Sequence, residues 1–286
     1  MAELDFQKTS RDIQASRGVL RYHEAGSGPP LVLLHGSGPG VTGWRNFRGN
    51  FALFAEHFHC YILEFPGFGV SDDFGGHPMM TALDSVVEFM DLLKIDKADF
   101  IGNSMGGGVA LSYAMAHPDR VGKIVTIGGI GRNIFSPGPG EGIKLLQEFT
   151  EAPTRERLIQ WLESMVYDKE KMVTEELIQE RWEQATEPAT LDSARRMYGK
   201  AAFAAMVQAM NNSDAPPQWA MLHKVKAPTL LTWGRDDRVS PLDMALVPMR
   251  TMPNAELHVF PNSGHWAMIE QKDAFEDVVL HFLLRK

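Results

Sequence analysis

Short apolar runs alternate with helical periodicities along much of the chain. Leu31-Val32-Leu33-Leu34 is apolar at every position, which suits a strand covered on both faces of a parallel sheet. Residues 59–63, 98–101, 123–127, 229–233 and 256–260 read as further strands. Residues 18–24 read as a strand running into the turn Ala25-Gly26-Ser27-Gly28-Pro29-Pro30. Between the strands, the apolar spacing predicts helices, for example over 81–93 and 105–117. Strands separated by helices imply βαβ units. The expected class is therefore α/β, with a mostly parallel central sheet and helices on both faces.

The middle of the chain lacks this alternation. Ser136-Pro137-Gly138-Pro139-Gly140 is a breaker cluster, and almost no strand signal follows it until about residue 215. Helices are predicted over 141–149, 155–166, 174–185 and 191–210. Thr154 and Thr174 each stand where an N-cap is needed, and Leu177 makes Thr174 a simple cap rather than a capping box. The expected organisation is a core of residues 1–134 and 216–286 with a helical lid over 135–215. The alternative is that these helices simply pack on the sheet.

Composition narrows the classes. A chain of 286 residues fits one large or two smaller domains. With 44% apolar and 22% charged residues it is not a disordered protein. Lys plus Arg number 28 against 36 Asp plus Glu, a net charge of −8, so nucleic acid is not an expected partner. A single local arginine could still hold a small anion. Cys60 is the only cysteine, which excludes an intrachain disulfide and a multi-cysteine metal site. The first residues lack a signal-peptide pattern, and no apolar run approaches the ~18 residues of a membrane span. A cytoplasmic protein without a membrane partner is expected.

Gly102-Asn103-Ser104-Met105-Gly106 matches G-x-S-x-G between a predicted strand and a helix of small residues. A sharp strand-to-helix turn there would lift the Ser104 hydroxyl above the sheet. The plain alternative is a glycine-rich turn that only helps the helix pack closely. A serine nucleophile needs a base, oriented in turn by a third group. Residues 229–233 run into Gly234-Arg235-Asp236-Asp237, and residues 256–260 into Pro261-Asn262-Ser263-Gly264-His265-Trp266. Asp237 and His265 thus follow strands on the same edge as Ser104, in the order such hydrolases use. Asp236 competes with Asp237 but could instead cap the turn or pair with an arginine. His57, His59, His77 and His281 show no partner pattern and read as structural or exposed. His35-Gly36-Ser37-Gly38-Pro39-Gly40 follows the first buried strand. The N–H groups of Ser37 and Met105 are the expected oxyanion donors. His35 is expected to orient that loop.

These segments together resemble the meta-cleavage product hydrolases, a carbon–carbon hydrolase branch of the α/β-hydrolase superfamily. The resemblance runs from about Thr9 to the end. Besides the His35–Gly40 and Ser104 segments it includes Trp44 and Asn46, Glu141-Gly142-Ile143-Lys144 and Glu180-Arg181-Trp182-Glu183. It also includes Trp233-Gly234-Arg235-Asp236-Asp237-Arg238 and Gly264-His265-Trp266-Ala267. It implies an α/β-hydrolase fold with an inserted lid, and hydrolysis of 2-hydroxy-6-oxo-hexa-2,4-dienoates through ketonisation and an acyl-enzyme. It implies Arg181 for the substrate carboxylate, because a guanidinium fork matches one, with Asn46, Asn103 and Trp266 beside the dienoate. On helix statistics alone, Arg181 would instead pair with Glu180 or Glu183 at the surface. Gly36 and Gly38 would border the substrate; Met165 and Val239 are candidate walls for the C6 substituent. No metal or organic cofactor is implied, and relatives form homodimers or larger assemblies. Ser37 stands where many relatives carry glycine, and Glu64 replaces the expected aspartate ahead of Pro66-Gly67-Phe68-Gly69, a change expected to touch loop structure only. The rival readings are an esterase or enol-lactonase with the same triad, and a non-catalytic ligand-binding protein of the same fold.

Overall fold

Alternation along β3 (Pro30–Leu34) sets the layers of the molecule. Leu31 and Leu33 face one apolar core, and Val32 and Leu34 face the other. All four are fully buried, as expected for a strand covered on both sides. The computed structural model describes residues 4–214 and 216–285. The other strands are β1 (Ser10–Ala15), β2 (Gly18–Ala25), β4 (His59–Leu63), β5 (Ala98–Asn103), β6 (Val121–Ile127), β7 (Thr229–Gly234) and β8 (Ala255–Phe260). They form one sheet in the order β1-β2-β4-β3-β5-β6-β7-β8. The β1–β2 and β2–β4 pairings are antiparallel and the rest are parallel, so the α/β class and parallel sheet are as expected.

Phe47, Phe51 and Phe54 of the helix Gly43–Ala55 and Phe275 and Phe282 of the helix Lys272–Leu284 pack on the Leu31 face. Val86 and Phe89 of the helix Pro78–Leu92 and Val109 of the helix Met105–Ala116 pack on the opposite face. From β3 the chain crosses to β4 on one side, and β5 then lies on the other. The loops after β3 and β5 therefore diverge at a switch point, where open parallel sheets form clefts.

Two local readings differ from the structure. β1 carries only Ile13 and Ala15 as apolar residues on an edge strand, so no periodicity announced it; its pairing with β2 creates it. The single helix expected over 191–210 is two, Pro188–Tyr198 and Lys200–Asn211. Gly199 leaves helical geometry between them, at ψ 147°. The helices Glu141–Glu151, Arg155–Met165, Lys169–Met172 and Glu175–Ala185 complete the segment between β6 and β7, which holds no strand among the described residues. Thr154 and Thr174 cap as expected, accepting from the Arg157 and Leu177 N–H groups at 3.3 and 3.2 Å.

Glu64 does more than shape a loop. Its carboxylate accepts the N–H groups of Gly43 and Trp44 at 2.6 and 2.8 Å. It thereby holds the first turn of the helix that carries Arg45, Asn46 and Arg48.

Candidate active site

Ser104 sits between β5 and the helix Met105–Ala116 at φ 51°, ψ −112°, outside the ordinary regions for an L-residue. Such a conformation costs ~1–3 kcal/mol and persists only where surroundings impose it. The Ser104 N–H donates to the Ile127 carbonyl at 2.9 Å, and the Ser104 carbonyl accepts from Gly108 at 3.2 Å. Close approach completes the turn: a Cβ on Gly106 would lie 2.1 Å from the Leu34 oxygen of β3. The G-x-S-x-G spacing is thus a packing requirement of this turn.

Asp237 and His265 follow β7 and β8. Their side chains meet, His265 Nδ1–H donating to Asp237 Oδ2 at 2.7 Å, with both residues buried. Asp237 Oδ1 accepts from the Val239 and Ser240 N–H groups, each at 2.8 Å, which fixes the carboxylate. Asp236 instead pairs with Arg235 at 3.2 Å, the alternative that its loop position allowed. With Nδ1 committed to Asp237, Nε2 of neutral His265 is the free acceptor. His265 and Ser104 lie over consecutive residues after β6. A Cβ on Gly128 would be 3.2 Å from the His265 ring, and one on Gly129 would be 2.8 Å from Ser104 Oγ. The His265 N–H donates to the Met165 carbonyl at 2.7 Å, so the end of an inserted helix anchors this loop.

The loop after β3 is braced from within. His35 Nδ1–H donates to the Gly36 carbonyl at 2.6 Å, and Nε2 accepts from Phe65 N–H at 2.9 Å. Burial pushes the His35 pKa down to about 4, so the ring is neutral and serves to orient the loop. Gly36 N–H donates to Asn46 Oδ1 at 3.2 Å, Asn46 Nδ2 to Asn103 Oδ1 at 3.2 Å, and Asn103 Nδ2 to the Ile127 carbonyl at 3.1 Å. Asn46 therefore stands behind Asn103, which lines the cavity above Ser104 while Asn46 does not. The N–H groups of Ser37 and Met105 have no acceptor among the described residues.

Three inserted residues close on the same loop. The Trp161 ring lies where a Gly38 Cβ would stand, 2.2 Å from that position. Arg181 Nη1 donates to the Pro39 carbonyl at 3.2 Å. The Tyr198 hydroxyl hydrogen-bonds Ser37 Oγ, and burial raises its pKa to about 12, which keeps it protonated. Sequence reasoning missed Trp161 and Tyr198. No local motif marks either one.

Arg181 is 2% exposed. Its guanidinium stacks over Trp266 at 5.0 Å, and its Nε has no hydrogen-bond partner. The surface pairing with Glu180 or Glu183 does not form. Glu180 pairs with Arg45 at 3.2 Å, and Glu183 accepts from Gln179. Burial, with Arg45 nearby, lowers the Arg181 pKa to about 9, which leaves it cationic at neutral pH. A cavity, about 380 Å³ with its open mouth included, brings Ser104, His265, Arg181 and Trp266 together with Gly36, Ser37, Gly38 and Asn103. Ile143, Leu146, Met165 and Val239 supply apolar wall. No cluster of three or more His, Cys, Asp or Glu side chains could hold a metal ion among the described residues. No helix there is long and apolar enough to cross a membrane.

A strained serine over a parallel sheet, faced by an Asp–His pair, defines an α/β hydrolase, and the family model for the alpha/beta hydrolase fold matches residues 29–272. The chain is 38% identical to a 2-hydroxy-6-oxo-6-phenylhexa-2,4-dienoate hydrolase of Burkholderia cepacia, over 99% of both chains. It is 41% identical to a 2-hydroxy-6-oxononadienedioate/2-hydroxy-6-oxononatrienedioate hydrolase of Burkholderia vietnamiensis (strain G4 / LMG 22486), over 93% of this chain and 91% of the relative. A solved meta-cleavage product hydrolase from Pseudomonas fluorescens IP01 superposes with a TM-score of 0.84 at 29% identity, over 97% of this chain and 98% of that one. The chain belongs to the meta-cleavage product hydrolase family.

Proposed function

We propose that this protein hydrolyses the C5–C6 bond of a 2-hydroxy-6-oxo-hexa-2,4-dienoate, giving 2-hydroxypenta-2,4-dienoate and a carboxylic acid. The observation that carries this reading is Arg181: a buried cation without an acidic partner, bordering the same cavity as Ser104. Ester hydrolysis gives such a group no work, whereas a dienoate carboxylate matches it.

The roles follow from the chemistry. Arg181 holds the C1 carboxylate, with Trp266 and Asn103 beside the chain and Asn46 positioning Asn103. Ketonisation moves the 2-hydroxyl proton to C5. Ser104 Oγ then attacks C6 and gives its proton to His265, while Asp237 orients the ring and stabilises the imidazolium. The Ser37 and Met105 N–H groups hold the oxyanion. The C5–C6 bond breaks, its electron pair passes into the 2-oxo system, and the dienol leaves after regaining a proton. Water, deprotonated by His265, releases the acid from Ser104. Residues 135–215 act as a lid on a core of 1–134 and 216–286.

We read the C6 substituent as apolar. Arg181 is the one permanent cation among the described residues lining the cavity, and Ile143, Leu146, Met165 and Val239 offer no charge. A second carboxylate would be buried without a partner, which is costly. The test mixes purified protein with ring-fission products and follows the dienolate colour, with Ser104→Ala in parallel. Bleaching that releases 2-hydroxypenta-2,4-dienoate and is lost in Ser104→Ala is expected. A 6-phenyl or 6-alkyl substrate should exceed the nonadienedioate by at least about tenfold in kcat/KM, the value of one unpaired buried charge at the low end. Turnover of simple esters without bleaching would favour an esterase, and silence toward both would favour a binding protein.

A further inference from the structure

A second cavity lies behind Arg181, and the chemistry above leaves it unused. It measures about 1120 Å³ including its open mouth. Arg181 and Trp266 line both cavities and so form the partition between them. The outer cavity is also lined by Arg45, Arg48 and Lys272, with Glu180 as its only acidic wall residue among those described. Glu180 is engaged by Arg45 at 3.2 Å, and Lys272 pairs with Glu276 at 2.8 Å. Arg48 is half-buried and forms no ion pair among the described residues. Arg181 stands in the partition itself, with its buried Nε unpartnered.

This concentration of cations runs against the chain's net charge of −8. Gathering half-buried arginines without enough acid is unfavourable unless an anion visits them. The partition also fixes a direction. A substrate whose carboxylate ends at Arg181 and whose C6 ends at Ser104 has its carboxylate toward the outer cavity.

We propose that the outer cavity is a carboxylate port, in which Arg48 and Arg45 hold the trailing carboxylate of the dienoate before it passes to Arg181, and the 2-hydroxypentadienoate product leaves carboxylate-first by the same route. This rests on the dienoate reading of the site. The port attracts its ligand from a distance, so its signature is an association rate that falls with salt.

The experiment is stopped-flow association of a coloured dienoate with Ser104→Ala protein, at low and high ionic strength. Adding Arg48→Gln should lower kon by at least about threefold at low salt, flatten its salt dependence and leave koff nearly unchanged. Arg48→Lys should restore kon, since the port asks for charge. If Arg48→Gln does not fold, Lys272→Gln is measured in its place with the same expectation. Equal kon and equal salt slopes would overturn the port while leaving the dienoate reading intact. A failure of every dienoate to bind the parent protein would overturn both.

Discussion

Arg181→Met separates a functional arginine from a structural one. The side chain is 2% exposed, makes one hydrogen bond at 3.2 Å to Pro39, stacks on Trp266 and lacks an acidic partner. Methionine fills a similar volume and removes a buried charge. Replacing buried ionic groups by apolar ones stabilises proteins by ~1–4 kcal/mol. The lost hydrogen bond and stacking offset ~1–2 kcal/mol of that. A net gain of about 1 kcal/mol raises Tm by roughly 2–4 °C in a chain of this size. Catalysis should move the other way. Removing one partner of a buried charge pair costs ~3–5 kcal/mol, or about 10²- to 10⁴-fold in kcat/KM for the dienoate. A neutral ester such as p-nitrophenyl acetate needs only the triad and should keep its rate within about threefold, because it has no carboxylate to lose. The assays are thermal melts and steady-state kinetics with both substrates. Unchanged dienoate kinetics, or an ester rate that falls in parallel, would refute the carboxylate role.

Asp237→Asn should lower kcat by roughly 10³- to 10⁴-fold with a small change in KM, because the amide favours the wrong tautomer of His265; steady-state kinetics decide it. Gly129→Ala should remove most activity, since Gly129 holds φ 72° and its new Cβ would fall 2.3 Å from Ser104 Cα; paired melts and kinetics should show kcat falling before the fold does. The Glu64 pKa is raised by burial from 4.5 to about 7, so its contribution to stability is full below pH 4.5 and lost as pH rises through about 7. That swing amounts to ~3 kcal/mol at most, and denaturant midpoints measured between about pH 5 and pH 8 should lose it in Glu64→Gln.

The parts of the site legible in the sequence are those that local geometry specifies. The Ser104 turn needs its glycines at fixed offsets, and Asp237 and His265 each follow an apolar strand directly. Other features depend on contacts that no window spans. Ser37 and Tyr198 lie 161 residues apart. Asn46 carries the residue type expected at a substrate contact, but the bond it accepts from Gly36 turns it into a brace for Asn103. Glu64 became legible only when its helix was seen to begin at Gly43. Arg45 and Arg48 share a cavity wall only because Arg181, from a distant helix, lies beside them.

Those long-range contacts bear on how substrate reaches Ser104. The inserted helices do more than cover the cavity. The Met165 carbonyl anchors the backbone of His265, Tyr198 bonds Ser37, and Arg181 bonds Pro39. Lifting the helices for each turnover would break these contacts. It would also loosen the loop expected to stabilise the oxyanion, and the base would lose its anchor. A polar contact of this kind is worth ~0.5–1.5 kcal/mol, and each apolar side chain drawn back into water adds ~1.5–3 kcal/mol. Leu158, Trp161 and Leu162 of the inserted helix Arg155–Met165 are all buried. Access through the side cavity requires only that Arg181 and Trp266 part as the apolar C6 end passes, and the trailing carboxylate then offers Arg181 a better partner than the ring it stacks on. The arrangement therefore favours helices that stay docked through the cycle and a partition that closes on the carboxylate once the C6 end has passed.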